Sequence, residues 1–243
     1  MPTVRHFGVS ETGPAHRADG LPNQDKWLHA KGRYGRLIVV CDGLGSRSHS
    51  GTGSKHACLA ARDAVRYWSA NPHNTHDRLG PLIHALWRAR IAPHPPEDCA
   101  TTCLLALRQP TGAWLIGGIG DGLAATRGVE GELAYIVGGA RDGFLNETAA
   151  LGMAKSNASW RFVVYPKNPN SRTAIIATDG ISDDLVPERT DAFVAWLIAE
   201  HGDLLPGQRT ARLRSLLRNW PSKKHSDDKT LAVMWEVPGE GGQ

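Results

Sequence analysis

Leu37-Ile38-Val39-Val40-Cys41 runs straight into Asp42-Gly43. An apolar, β-branched run of this length reads as a buried strand, and here it ends on an acid. The same arrangement recurs on either side. Trp114-Leu115-Ile116-Gly117-Gly118-Ile119-Gly120 runs into Asp121-Gly122, and Ala174-Ile175-Ile176-Ala177-Thr178 runs into Asp179-Gly180. Asp227-Asp228 opens a strand from Lys229 to Glu236, and Asp25 opens another after Pro22-Asn23-Gln24. A single Asp-Gly after a strand reads as a turn. Several of them, each at a strand tip and spread along the chain, point to one acidic centre assembled from distant segments. Carboxylates a few ångströms apart repel strongly, so such a centre calls for cations.

The bulk numbers bound the rest. The 243 residues are 41% hydrophobic and 21% charged, ordinary for a globular protein with a substantial core. A net charge of +4 is too mild for a nucleic-acid signature and suits an anionic substrate such as a phosphoester. No apolar run approaches the ~18 residues of a membrane span, and Met1 to His6 carries no signal-peptide core. We therefore expect a cytoplasmic protein with neither membrane nor nucleic-acid partners. Cys41, Cys58, Cys99 and Cys103 form no C-x-x-C pair and read as reduced core residues.

Periodicity and turn residues predict strands at 4–10, 26–30, 36–41, 101–108, 113–119, 123–127, 133–137, 160–165, 173–178 and 229–236. Helices are expected at 54–69, 81–91, 190–201 and 206–220, with 45–53 as a Gly/Ser-rich loop, 138–157 irregular and 238–243 a loose tail. Strict βαβ alternation is absent. That favours an α+β fold of antiparallel sheets covered by helices, in a single domain spanning 1–243.

Competing motifs fare worse than the aspartates. Gly118-Ile119-Gly120-Asp121-Gly122 leads into an apparent strand, whereas a dinucleotide fingerprint leads into a helix. Gly45 to Lys55 lacks the G-K-[ST] ending of a phosphate loop, although a loop entering a helix has some affinity for anions. No histidine forms H-E-x-x-H, and no G-x-S-x-G is present. Arg212, Arg214, Arg218, Lys223 and Lys224 read as a wet helix face.

The neighbours of the aspartates add a resemblance that runs nearly end to end. Asn23-Gln24-Asp25, Val40-Cys41-Asp42-Gly43-Leu44-Gly45-Ser46, Ala100-Thr101-Thr102-Cys103, Gly120-Asp121-Gly122, Thr178-Asp179-Gly180-Ile181-Ser182-Asp183 and Asp227-Asp228-Lys229-Thr230 occur in that order. Together they resemble the metal-dependent, type 2C family of protein serine/threonine phosphatases, in its compact bacterial branch. The resemblance implies a four-layer α-β-β-α sandwich of two antiparallel sheets flanked by helices. It implies that Asp42 and the Gly43 carbonyl hold Mn²⁺ or Mg²⁺, that Asp179 and Asp227 complete a two-metal site, and that Asp121 with Asp179 can hold a third ion. Asp25 would act through water at the metals. The implied reaction is hydrolysis of phosphoserine and phosphothreonine in proteins by a water activated between two ions, opposing a serine/threonine kinase of the same cell. An all-oxygen donor set suits Mg²⁺ or Mn²⁺ rather than zinc, and two ions ~3.5–4 Å apart can activate a shared water.

The chain also departs from the family pattern. Gly20 stands where many relatives place a phosphate-gripping Arg, which leaves His16 and Arg17 as substitutes. Leu44 stands where eukaryotic relatives carry a His, so the leaving group would take its proton from water at the metals or from His49. These departures leave two alternatives open: a binding or regulatory module that has lost efficient chemistry, and a small-molecule phosphomonoesterase. Phe144 to Asn157 falls where relatives carry a mobile flap, and we expect it to help select substrates.

Overall fold

In the computed structural model, which describes residues 3–71, 73–127, 133–137, 149–153, 159–167, 172–222 and 226–237, the apolar strands pair into two five-stranded antiparallel sheets. One sheet has the order β1 (Thr3–Glu11), β10 (Lys229–Val237), β9 (Thr173–Ala177), β6 (Leu123–Arg127), β7 (Leu133–Val137). The other runs β2 (Lys26–Gly32), β3 (Gly35–Cys41), β4 (Cys103–Arg108), β5 (Trp114–Ile119), β8 (Arg161–Tyr165). Both faces of each sheet are covered, and this explains why the central strands read as continuous apolar runs rather than alternating ones. In β3, Ile38 and Val40 enter the core between the sheets, with Leu104, Ile116, Ile176 and Met234. Leu37, Val39 and Cys41 face the other way, against α2 (Ser50–Ser69) and α3 (Leu79–Ile91). On the far side, Phe7, Val9, Ile175 and Val233 pack on α5 (Pro187–His201) and α6 (Pro206–Arg218) through Val194, Leu197, Leu213 and Leu217. The layers are helix, sheet, sheet, helix, as the resemblance implied.

The differences from expectation are local. α2 begins at Ser50 instead of 54, so the glycine-rich loop is shorter than expected. Gly51 and Gly53 are poor helix formers, but tertiary contacts override the propensity: the Gly53 carbonyl accepts the Trp87 indole N–H at 3.1 Å, and Ser54 donates its hydroxyl to the Gln24 carbonyl. Two one-turn helices were also missed, α1 (Pro14–Ala18) and α4 (Asp179–Ser182), both too short to carry a periodic pattern. All four cysteines are free and buried. Residues 138–148, 154–158 and 238–243, which include most of the expected flap and the tail, lie outside the described residues. Among the described residues no helix is long and apolar enough to cross a membrane.

Candidate active site

Strand register decides where the acids go. Leu231 of β10 pairs with Ala177 of β9, and Ala177 pairs with Leu123 of β6, so the segments bearing Asp227, Asp179 and Asp121 emerge at one end of their sheet. In the other sheet Cys41 pairs with Lys26, and Cys103 with Ile119, which sets Asp42, Asp25 and the Thr101-Thr102 dipeptide at the matching end. The Asp-Gly glycines contribute by close approach. Gly43, Gly122 and Gly180 are not among the positive-φ glycines. A Cβ on Gly43 would run into the Ser50 backbone, one on Gly122 into the Ala177 carbonyl, and one on Gly180 into the Asp228 carbonyl. Each glycine lets its own acid segment lie against another segment of the site, and a side chain there would push the acids apart.

Hydroxyl side chains then fix the carboxylates. The Asp42 N–H donates to Thr102 Oγ1 at 2.9 Å, while its carbonyl accepts from Thr101 Oγ1 at 2.6 Å and from the Thr102 N–H at 2.8 Å. Gly43 forms a bridge with Thr101, which in turn pairs with Leu151. Asp25 is 2% exposed and accepts the Thr178 hydroxyl on Oδ2 at 2.9 Å. Thr178 is itself placed by Thr230, whose N–H donates to its Oγ1 at 3.1 Å. Asn23 Oδ1 accepts the Asp25 N–H at 2.8 Å, and Lys26 Nζ donates to the carbonyls of Asn23 and Asp25.

The electrostatics show how tightly the acids converge. Burial pushes the Asp25 carboxyl up to about 7, assisted by the charge of Asp228, and a hydrogen bond to Asp42 works against the rise. Asp42 is pushed well above the usual carboxylate range by burial, then by the charges of Asp25 and Asp179. Asp179 rises to about 6 through burial and the charges of Asp121 and Asp227. Six acids from five segments therefore sense one another within a single cluster. Asp179 Oδ1 is buried with no hydrogen-bond partner among the described residues. An orphaned carboxylate oxygen in a crowd of like charges, most of them carboxylates, fits a hard divalent cation.

The remaining predicted residues divide. Asp227 is exposed, with Oδ1 accepting the Asp228 N–H at 2.8 Å. Asp121 is also exposed, on the Asp179 side of the cluster. His16, on α1, stands beside Asp227 and Asp228; its Nδ1 lies 3.0 Å from Asp228 Oδ2 but outside hydrogen-bond geometry. These three side chains could in principle share an ion. Asp228 is a poor ligand, however, because its oxygens accept the Gly13 N–H at 2.7 Å and the Gln24 N–H at 2.6 Å. Arg17 turns to Glu11 at 3.4 Å, a carboxylate that Arg218 also holds at 2.9 Å. His49 packs its ring on His94, with centroids 4.1 Å apart. Sequence reasoning missed Asp228 and Thr178 as supports. Both lie inside the quoted motifs, and a strand's two-residue period could have separated the buried Asp228 from the exposed Asp227.

A family model described as protein phosphatase 2C matches residues 12–218. The chain belongs to the protein phosphatase 2C family. Solved structures of similar fold span this chain nearly end to end. The catalytic domain of the serine/threonine protein phosphatase PstP, in complex with two manganese ions, is 16% identical, with a TM-score of 0.63 over 98% of this chain and 100% of that one. The photosystem II phosphatase PBCP is 15% identical, with a TM-score of 0.67 over 97% and 99%. The S. agalactiae serine/threonine phosphatase is 14% identical, with a TM-score of 0.62 over 96% and 99%. No curated protein sequence matches this protein phosphatase 2C chain.

Proposed function

We propose that the chain hydrolyses phosphoserine and phosphothreonine in proteins, as a single cytoplasmic domain that opposes a serine/threonine kinase. The observation that carries this reading is the convergence of Asp25, Asp42 and Asp179, with Asp121 and Asp227 beside them, in a chain of this family. Asp42, Asp179, Asp227 and the Gly43 carbonyl would hold two Mn²⁺ or Mg²⁺ ions, and Asp121 with Asp179 a third. Two neighbours support the choice of metal, one described with two manganese ions and one, RsbX, with magnesium. Bound there, such ions supply positive charge that acidifies water and neutralises the phosphoryl oxygens.

The protein's own part is positioning and proton handling. Thr101 and Thr102 clamp the Asp42 backbone on both its N–H and its carbonyl, so the carboxylate is held before substrate arrives. Thr178 occupies Asp25 Oδ2, which leaves the other carboxyl oxygen to take the proton of the attacking water. His16, next to Asp227, is the better placed of the two substitutes for the missing arginine, because Arg17 is engaged by Glu11. Asp42→Asn tests the reading. With Mn²⁺ it should lose nearly all turnover of p-nitrophenyl phosphate and of phosphopeptides, while its thermal melt stays cooperative. Near wild-type turnover would remove Asp42 from the mechanism.

A further inference from the structure

A second hollow, opposite in charge to the acid cluster, opens beside it. It encloses about 510 Å³ and is lined by Arg47, His84, Arg88, Glu97 and Met153, among others. Its walls are tied to the backbone of the site. The Arg47 N–H donates to the Leu44 carbonyl at 2.9 Å, and the Leu44 N–H to the Ala100 carbonyl at 3.0 Å. On the facing wall, Met153 lies two residues beyond Leu151, which pairs with Thr101, whose hydroxyl holds the Asp42 carbonyl. Arg47 lies five positions after Asp42, a span of at most ~17 Å.

Among the described residues, Arg47 and Arg88 of the hollow have no anionic partner. Arg47 Nε is buried and has no hydrogen-bond partner among the described residues. Nη2 reaches Met153 Sδ at 3.7 Å, and a thioether is a weak acceptor for a guanidinium. Arg88 stands one turn after His84 on α3, exposed, with no ion pair among the described residues. Glu97 on the same rim subtracts one charge and leaves the pair of guanidinium groups in excess. Arg47 and Arg88 both line the hollow, so an anion entering it can meet two guanidinium groups. Planar guanidinium groups match carboxylate and phosphate in two-point contact.

We propose that this hollow is a substrate subsite for a second anionic side chain, a phosphorylated or acidic residue within about five positions of the phosphoserine or phosphothreonine being hydrolysed, at ~3.4 Å of extended peptide per residue. The inference rests on the phosphatase reading and adds a substrate class to it: phosphoproteins modified at neighbouring positions, or within acidic stretches. Glu97 and the open rim keep the preference one of degree, because exposed ion pairs are weak and screened by salt.

The test compares kcat/KM on peptides that carry one phosphothreonine among alanines with peptides that add Asp, or a second phosphoserine, at each offset from two to five on either side. Wild type should prefer the anionic neighbour at one or more offsets by roughly tenfold, with phosphoserine above Asp if two-point contact operates. Arg88→Glu, on an exposed helix face, should abolish or reverse that preference, and Arg47→Gln should weaken it. Turnover of p-nitrophenyl phosphate, which is too small to reach the hollow, should stay within about twofold in both variants, as expected for surface charges off the reacting centre. Absence of any preference in wild type, or an unchanged preference in both variants, overturns the subsite while leaving the phosphatase reading intact. A wild-type chain inert toward p-nitrophenyl phosphate with Mn²⁺ sinks the phosphatase reading, and the subsite with it.

Discussion

Asp228 shows how much of the centre depends on a residue that need not touch substrate. Its carboxylate is 2% exposed and takes the Gly13 N–H at 2.7 Å and the Gln24 N–H at 2.6 Å, joining the turn before α1 and the segment before Asp25 to the start of β10. Asp228→Ala removes both acceptors at once. Each orphaned donor costs about 1–3 kcal/mol, which gives a loss of about 2–6 kcal/mol. One effect opposes this. The charge of Asp228 helps raise the Asp25 carboxyl, so the variant relieves a repulsion. Burial is the larger cause of that rise, so the relief is on the order of 1 kcal/mol, and destabilisation wins. Urea unfolding followed by tryptophan fluorescence, with EDTA present, measures the difference. At a slope of about 2–3 kcal/mol per molar, a net loss of about 1–5 kcal/mol should lower the midpoint by roughly 0.3–2.5 M. Asp228→Asn keeps one acceptor and turns an amide N–H₂ toward the other donor, so its midpoint should fall between alanine and wild type. The reasoning is refuted if the alanine variant lies within about 0.5 kcal/mol of wild type, or if asparagine is more stable than the native residue.

Three further outcomes are expected. In chelator, the raised carboxyls of Asp25 (about 7) and Asp179 (about 6) make the folded state bind more protons than the unfolded chain between about pH 4 and 7. Stability of the chelated protein should therefore fall as pH rises through that window; saturating Mn²⁺ should add about 2.7 kcal/mol at a hundredfold excess over Kd and flatten the slope, as melts with and without metal would show. Thr102→Val leaves the Asp42 N–H without its acceptor, which should cost about 1–3 kcal/mol and lower kcat with Mn²⁺ more than it changes KM. His6, stacked on His29 with ring centroids 3.3 Å apart, is held down to about 4 by burial and then by the charges of His29, Arg36 and Arg209. Its contribution is lost as pH falls from about 6.5 toward 4, so His6→Phe should gain on the order of 1 kcal/mol over wild type between pH 7.5 and 5, after discounting for partial exposure.

The element order was legible because the physics behind it is local. Apolar runs such as 37–41 and 174–177 have no other use in a chain that lacks βαβ spacing, and α3 announces itself by an early proline. What escaped was set by tertiary contact. The start of α2 depends on Trp87 and Gln24, far along the chain, and α4 is a single turn whose aspartate serves the site. Arg17 was a reasonable stand-in for a phosphate-gripping arginine on sequence distance alone. Only the fold reveals that Glu11, on the neighbouring strand, reaches its guanidinium.

The site was legible for a deeper reason. Packing the sheets on each other and covering their outer faces with helices leaves the strand ends as the places where a rigid core meets water. Polar groups needed in fixed positions must therefore sit at strand tips, and an acid that closes an apolar run is visible in any one-dimensional reading. Which tips share an end is a matter of register, and register follows from side chains alternating between two cores. Shifting β9 by one residue against β10 would move Ile176 out of the inter-sheet core and Ile175 into it, and would carry Asp179 away from Asp42 in the same step. The packing that stabilises the sandwich thus also sets the spacing of the carboxylates. For this reason the glycines after Asp42, Asp121 and Asp179, which read as turn formers, belong to the packing: each one lets a neighbouring segment approach closely enough for the acids to share a centre.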